Sequence, residues 1–178
     1  VWNQQWRAPL RAALDWLRDT LAPLSEERGK AVFHDFWAAR DEYIGVVLDR
    51  SESRRGDFLS KHLLVPLAAE EAVAVWKLLE LQRHLMLMYT SCGWFFDDVS
   101  GIETIQVIAY AARAVQLAEE LFARPFEDLF LSKLAEAKSN VKEEQDAASI
   151  DRRHGKPAMA DLMKVGAHYA VSSMFERY

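Results

Sequence analysis

Apolar residues recur at intervals of three and four along most of this chain, which is the spacing that places side chains on one helix face. The first such pattern covers residues 2–22, where tryptophan and leucine form the apolar side. Similar patterns cover residues 30–49 and, more briefly, 56–64. No stretch keeps the alternation of apolar and polar residues that marks a strand. The sequence therefore predicts an all-α fold.

The most apolar pattern covers residues 67–89, and it is apolar over much of its circumference. A helix of this kind is usually central and buried. Residues 101–123 form its predicted partner, in which several alanines would allow another helix to approach closely. Two further helices are predicted at 125–139 and 157–177. We therefore expect a bundle of five to seven helices around the central pair at 67–89 and 101–123.

The size and composition fit one globular domain. The chain has 178 residues, of which 51% are hydrophobic, enough for a sizeable core. We expect residues 1–178 to form a single helical domain, excised from a larger multidomain enzyme, because the chain starts at Val1 and ends inside an apolar pattern at Tyr178. Residues 139–156 are polar and are the best candidate for a mobile excursion.

Charge and cysteine content exclude some classes of function. The formal net charge is −5, whereas nucleic-acid binding usually shows a basic footprint. The single cysteine excludes an internal disulfide and favours a reducing compartment, so a cytoplasmic location is expected. No apolar run reaches the roughly 18–20 residues of a membrane span. Neither nucleic acid nor membrane is predicted as a partner.

Residues 90–100, the loop that joins the two most apolar patterns, have an unusual composition. This 90–100 loop reads T-S-C-G-W-F-F-D-D-V-S and holds the only cysteine, three consecutive aromatic residues and two adjacent aspartates. Loops held by rigid helices carry function more often than core helices do. The loop is therefore the first candidate for a functional site.

The aromatic run of the loop comprises Trp94, Phe95 and Phe96. In a saccharide-binding protein such side chains stack against sugar rings, so Trp94 and Phe95 are candidate substrate-binding residues. The alternative is that the run closes one end of the bundle as part of its core. Three consecutive aromatics cannot all face one core, so at least one should point elsewhere.

Asp97 and Asp98 are the other candidate substrate-binding residues, because carboxylates accept hydrogen bonds from sugar hydroxyls. Adjacent side chains do not face the same way, so the two are a poor catalytic dyad. The alternative is that they are charges favoured near the positive start of the next helix.

Four further residues are predicted to have structural roles. Ser100 and Glu103 match the S-x-x-E capping box at the start of a helix. Cys92 has no histidine nearby in sequence to activate it, so we expect a buried or half-buried structural thiol. Arg113 lies on an apolar helix, where a buried polar contact would fix the packing.

No catalytic residue, metal site or cofactor is predicted. A di-iron or di-manganese bundle carries a Glu-x-x-His pair on each of two helices. The sequence has no such pair. It also lacks the glycine-rich phosphate loops and the Gly-x-Ser-x-Gly nucleophile turn.

Three stretches resemble a known family. They are T-S-C-G-W-F-F-D-D-V-S-G-I-E-T-I-Q with the following A-Y-A-A-R-A-V-Q-L-A, then F-H-D-F-W-A-A-R-D-E-Y-I at 33–44, and K-P-A-M-A-D-L-M-K-V-G-A-H-Y-A-V-S-S at 156–173. Together they resemble the helical domain of unknown function 3536. That domain follows the catalytic barrel in a subset of glycoside hydrolase family 57 proteins.

The resemblance implies a place in a larger enzyme. Family 57 enzymes are retaining α-glucan hydrolases and transferases, whose nucleophile and acid lie on an N-terminal barrel. Their helical domain packs on that barrel and sends an aromatic-rich motif toward the cleft. Residues 90–96 resemble this motif, although Gly93 stands where better-known members have an acidic residue. No part of this chain matches the barrel motifs.

The resulting hypothesis is a catalytically inactive helical accessory domain of a family 57-like enzyme. Its partners would be the catalytic barrel of the same polypeptide and a saccharide, bound with the help of the 90–100 loop. The alternative is a purely structural or interdomain module without substrate contact. An enclosed Trp94 with solvent-facing aspartates would favour that alternative, whereas an exposed apolar patch near the loop would favour the cleft.

Overall fold

The computed structural model describes residues 2–175, and over that range the chain is all-α without a β-sheet. The helices before the 90–100 loop are α1 (Arg7–Lys30), α2 (Phe36–Glu42), α3 (Ile44–Leu48), α4 (Glu52–His62) and α5 (Ala69–Leu87). Those after it are α6 (Ile102–Phe122), α7 (Glu127–Leu134), α8 (Ala147–Ile150), α9 (Lys156–Ala158) and α10 (Leu162–Ser172). A 3-10 turn lies at Ser91–Trp94, and a π-helical turn at Asp151–Gly155 joins α8 to α9.

The centre of the bundle is the pair α5 and α6, which pack on each other more extensively than any other two helices within residues 2–175. Helix α6 turns a face of small side chains toward the core, including buried Ala111, Ala114 and Ala118. Helix α5 contributes leucines that are almost fully buried, among them Leu78 and Leu81. Each such leucine stabilises the fold by roughly 1.5–3 kcal/mol. The predicted all-α bundle around this pair is confirmed.

Helix α1 differs at both ends from the predicted helix at 2–22. It begins at Arg7, so Pro9 lies in its first turn, where the missing N–H breaks no helical hydrogen bond. It then continues through Pro23 to Lys30, although the predicted helix ended at residue 22. One side of α1 buries four leucines against the bundle, and the helix packs on α6 and α7.

The predicted helix at 30–49 is two short helices. Helix α2 begins after Asp35, whose carboxylate accepts a hydrogen bond from the Ala38 N–H at 3.0 Å. Tyr43 separates α2 from α3. At this break the Tyr43 side chain is buried, and its hydroxyl donates to Glu80 of α5 at 2.7 Å. The break thus supplies a polar cross-link to the central pair.

Residues 139–156, predicted as a polar excursion, contain α8 and the π-helical turn. Both elements pack against α6, and Ala147, Ile150 and Asp151 are buried there. The segment therefore lies on the bundle and does not project from it. Its mobility stays a prediction.

Helix α10 buries no side chain, although its sequence is strongly apolar. Leu162 at its start is 90% exposed. The exposed large apolar side chains from there to residue 175 are Leu162, Met163, Val165, Tyr169, Val171, Met174 and Phe175. The predicted helix at 157–177 is thus shorter and outside the core, and its residues 176–177 lie outside the described range.

None of the helices in residues 2–175 has both the length and the apolar character to cross a membrane.

Candidate functional site

The 90–100 loop approaches the side of α6 closely. The Thr104 hydroxyl donates a buried hydrogen bond to the Gly93 carbonyl at 2.7 Å. A Cβ atom at Gly93 would lie 2.5 Å from the Val107 Cγ2 atom, so a larger residue would push the loop away. The residue type at 93 is therefore set by this contact between the loop and the helix.

The three aromatic residues of the loop have different environments. Trp94 is half-buried, and its ring stacks on Trp6 with centroids 6.3 Å apart and planes inclined by 11°. Phe95 is 75% exposed and Phe96 is 49% exposed. The run is thus divided between one ring that packs on the bundle and two that face solvent.

Asp98 is buried and binds the loop to a distant segment. Its Oδ1 atom accepts hydrogen bonds from the Ser100 N–H at 2.9 Å and from the hydroxyls of Ser100 and Ser139, each at 2.7 Å. Its Oδ2 atom accepts from the Asn140 backbone N–H at 2.6 Å and from the Asn140 side chain at 2.9 Å. This burial contradicts the prediction that Asp98 faces a substrate.

The pKa of Asp98 reflects the same arrangement. Burial raises the pKa of this carboxyl group, but the hydrogen bonds donated by Ser100, Asn140 and Ser139 outweigh that effect and bring the pKa to about 2. Asp98 is therefore ionised at neutral pH and acts as a fixed anionic acceptor within the protein.

The predicted capping box at Ser100 and Glu103 is not formed. Helix α6 has Gly101 at its N-cap and no side-chain hydrogen bond there. The Ser100 hydroxyl donates to Asp98 instead, because that carboxylate lies beside it and is already bound to the Ser100 N–H. Glu103 remains in the first turn, where a negative charge is favoured.

The residues at the start of α1 hold the backbone of the loop from a second side. The Trp6 indole N–H donates to the Asp97 carbonyl, and Arg7 donates to the Phe96 carbonyl, both at 3.2 Å. The Asp97 carboxylate is exposed and accepts one bond, from Gln4 at 3.2 Å. The sequence gives no sign of these hydrogen bonds, because Trp6 lies in the apolar pattern of the predicted helix at 2–22.

Cys92 is exposed, which corrects the prediction of a buried or half-buried thiol. The 3-10 turn directs it outward while Gly93 takes the position against α6. Ile102, at the start of α6, is 77% exposed. We call Cys92, Phe95, Phe96, Asp97 and Ile102 the loop face. It combines apolar surface with one carboxylate on a backbone held by hydrogen bonds.

A second polar cluster, which the sequence did not reveal, surrounds Glu80 on α5. Its carboxylate accepts from the Tyr43 hydroxyl at 2.7 Å and from Arg83 at 3.1 Å, and it lies 3.5 Å from Arg50. Burial raises the pKa of Glu80, but the bonds from Tyr43 and Arg83 lower it below the ordinary value. Burial also lowers the pKa of His84, which keeps that imidazole neutral at neutral pH.

Arg113, predicted to fix the packing by a buried contact, is half-buried on α6. Its guanidinium donates to the Gln116 side chain and, at 3.4 Å, to the Ala160 carbonyl. Gln116 donates to the same carbonyl at 2.7 Å. Arg113 therefore helps to hold the chain between α9 and α10.

Neither the loop face nor the cluster around Glu80 brings together a set of metal ligands. No group of three or more His, Cys, Asp or Glu side chains that could hold a metal ion occurs in the part of the chain that the structure describes. The loop face can stack against a ring and accept a hydrogen bond from a hydroxyl group.

Comparison with known proteins gives one family. The sequence model of the family described as "Domain of unknown function (DUF3536)" matches residues 2–178, which is nearly the whole chain. No curated protein and no solved structure matches the chain significantly.

Proposed function

Because this chain belongs to the family of domains of unknown function DUF3536, we propose that it is a helical accessory domain of a cytoplasmic, family 57-like glycoside hydrolase or glucanotransferase. The domain docks on a catalytic barrel in the same polypeptide. Its 90–100 loop turns toward the saccharide cleft that the barrel carries. The nucleophile and the acid belong to the barrel, so the isolated domain is inactive.

One observation carries this proposal: the loop face presents exposed phenylalanines on a fixed backbone. The carbonyls of Phe96 and Asp97 are held by Arg7 and Trp6, and Asp98 binds the loop to residues 139–140. A fixed backbone lowers the entropy cost of binding a ligand or a partner. Burial of an exposed phenylalanine side chain by a ligand or partner is favourable by roughly 1.5–3 kcal/mol of free energy.

The proposed roles within the loop follow from the positions of its side chains. Phe95 and Phe96 provide apolar surface for the face of a sugar ring. Asp97 accepts a hydrogen bond from a hydroxyl group. Trp94 anchors the loop through its stacking on Trp6, and Asp98 keeps the loop in place through its hydrogen bonds.

Helix α10 supports the docking part of the proposal. It exposes a run of large apolar side chains and buries none of them within the bundle. Exposed apolar patches of this kind mark surfaces that bind another protein or domain. The barrel would cover this helix in the parent enzyme.

The experiment compares the full-length parent with three variants: Phe95→Ala, Asp97→Asn and, as a control on α7, the exposed Leu129→Ala. Binding of maltooligosaccharides is measured by calorimetry, hydrolysis by initial rates, and folding by the melting temperature. We expect Phe95→Ala and Asp97→Asn to weaken binding by about tenfold each, at an unchanged melting temperature. Leu129→Ala should change neither the saccharide affinity nor the melting temperature.

Saccharide binding and hydrolysis that are unaffected by both loop variants would refute the role of the loop in the cleft. The second candidate function is then an interdomain module, which the half-buried Trp94 and the buried Asp98 favour. For that candidate, Phe95→Ala would weaken the association of separately expressed domain and barrel without an effect on sugar affinity.

A further inference from the structure

A depression opens on the side of the bundle between α3, the start of α4 and the central pair. Its volume is about 410 Å³, within the roughly 300–1,000 Å³ range of small-molecule pockets. Its aromatic and charged lining residues are Tyr43, Arg50, Arg55, Trp76, Glu80 and Arg113, and we call it the arginine depression. Trp76 lies about three helical turns, or roughly 16 Å, before the end of α5, so the depression is separate from the loop face.

The depression carries an excess of positive charge in a chain whose net charge is −5. Its one carboxylate, Glu80, is already bound to Arg83 at 3.1 Å and lies 3.5 Å from Arg50. Neither Arg55 nor Arg113 forms an ion pair with any side chain that the structure describes. The two guanidinium groups are therefore left without a counter-charge beside an open pocket.

The apolar side of the depression is rigid. Trp76 is half-buried, with its ring centroid 6.1 Å from that of Tyr43 and 5.7 Å from that of Phe58. Tyr43 is fixed in turn by its hydrogen bond to Glu80. A fixed aromatic surface beside guanidinium groups that lack an ion-pair partner among the described residues suits a ligand with a compact ring and an anionic group.

We propose that the arginine depression binds an organic oxyanion of about monosaccharide size. Arg55 and Arg113 pair with its phosphate or carboxylate group, because the planar guanidinium presents parallel N–H donors that match two oxygen acceptors. Trp76 packs against the body of the ligand. The Glu80 carboxylate, whose own charge is balanced by Arg50 and Arg83, accepts a hydrogen bond from a hydroxyl group of the ligand.

The test is calorimetric titration of the full chain with glucose 6-phosphate, glucuronate, inorganic phosphate and glucose at low salt. We expect binding of glucose 6-phosphate or glucuronate, weaker binding of inorganic phosphate, which has no body to pack on Trp76, and no binding of glucose. The preferred anionic sugar identifies the source of the oxyanion as phosphate or carboxylate. No binding of either anionic sugar, or equal binding of glucose, would overturn the proposal.

Three variants locate the site. Arg55→Gln and Arg113→Gln should each weaken binding of the preferred anion by about tenfold or more, since each removes charged hydrogen bonds. Arg124→Gln removes the same charge from an exposed position after the end of α6 and should leave the affinity unchanged. Equal weakening by Arg124→Gln would show non-specific attraction and overturn the proposal. If Arg113→Gln fails to fold, the exposed Arg55 decides the result alone.

Discussion

Two neighbouring aspartates in the 90–100 loop have opposite environments. Asp98 is 4% exposed and accepts five hydrogen bonds from residues within 2–175, whereas the carboxylate of Asp97 is exposed and accepts one from that range, donated by Gln4. Adjacent side chains on an extended or turning backbone point in different directions, so one buried and one exposed aspartate are expected. Which of the two is buried depends on Ser139 and Asn140, which are about forty residues away in sequence.

We predict that Asp98→Asn destabilises the fold at neutral pH by about 1–3 kcal/mol, because the amide replaces one accepting oxygen with a donor that faces the Asn140 N–H. Asp97→Asn, at the exposed neighbouring position, should change the free energy of unfolding by less than about 0.5 kcal/mol. Denaturant unfolding of both variants at pH 7 measures the difference. Equal effects at the two positions would contradict the assigned role of Asp98.

The pH dependence gives a second measurement on Asp98. Its pKa is about 2 in the folded protein, below the ordinary value of 3.8, so the unfolded chain binds this proton at a higher pH. The stabilisation is therefore present above about pH 4 and is lost as the pH falls through about 2. The Asp98→Asn variant should lack this part of the acid dependence, which unfolding at pH 2–5 would show.

Asp151 in the π-helical turn has the opposite behaviour. It is 2% exposed, and its Oδ1 atom has no hydrogen-bond partner in the described structure. Burial, with a smaller contribution from the Glu127 charge, raises its pKa from 3.8 to about 7. Between about pH 4 and pH 7, Asp151 is therefore protonated in the folded protein and ionised in the unfolded chain.

We predict that Asp151 makes the fold less stable as the pH rises from about 4 to about 7. Asp151→Asn removes the ionisation, so its stability relative to the wild type should rise by roughly 2–3 kcal/mol between pH 5 and pH 8. Asp128→Asn, at an exposed position on α7, is the control and should show no such rise. A parallel pH dependence in Asp151→Asn and the wild type would refute the buried ionisation.

At the residue scale, the sequence indicated features that depend on neighbouring residues, but it did not indicate contacts between residues that are distant in the chain. The composition of the 90–100 loop, with its aromatics and aspartates, marked a segment whose backbone and Asp98 carboxylate form several hydrogen bonds to distant residues. The hydrogen bonds that Trp6 and Asn140 donate to the loop could not be predicted from the loop sequence, because both residues are distant from it in the chain. The capping prediction for Ser100 was wrong because its hydroxyl donates to Asp98, whose position is fixed by the distant Ser139 and Asn140.

At the scale of elements, hydrophobic periodicity predicted α5 and α6 well because both are long and bury wide faces. It merged α2 and α3, since the residues around Tyr43 keep helical spacing across the break. It also ended the first helix at residue 22, before Pro23, whereas α1 continues to Lys30 and packs on the bundle. Tertiary contacts overrode local preference at both positions.

The close approach of α5 and α6 depends on the small side chains of α6. We predict that Ala114→Leu, at a fully buried position, destabilises the fold by about 1–3 kcal/mol through overpacking. Gln106→Leu, at an exposed position on the same helix, should have little effect. Denaturant unfolding would test both, and tolerance of Leu at 114 would show that the core around α6 does not pack tightly there.

At the scale of the whole molecule, the core and the candidate binding surfaces occupy different parts of the chain. The core consists of the central pair with α1 and α7 around it. The loop face projects from one end of the central pair, and the arginine depression lies about three turns away along α5. Binding at one surface can therefore be removed without loss of the fold, which is what makes the two proposals separately testable.

Helix α10 gives the last prediction, because an apolar helix that buries nothing should not contribute to the stability of the bundle. Replacement of Leu162 and Met163 by serine should leave the melting temperature of the domain nearly unchanged, since both side chains are more than 80% exposed. In the parent enzyme the same double variant should weaken docking of the domain on the barrel, measured by protease sensitivity of the domain junction. A matched double replacement of Leu48 and Ile44, which are exposed on α3, is the control. A large fall in the melting temperature of the isolated domain would show that α10 packs on the bundle and would remove it as a docking surface.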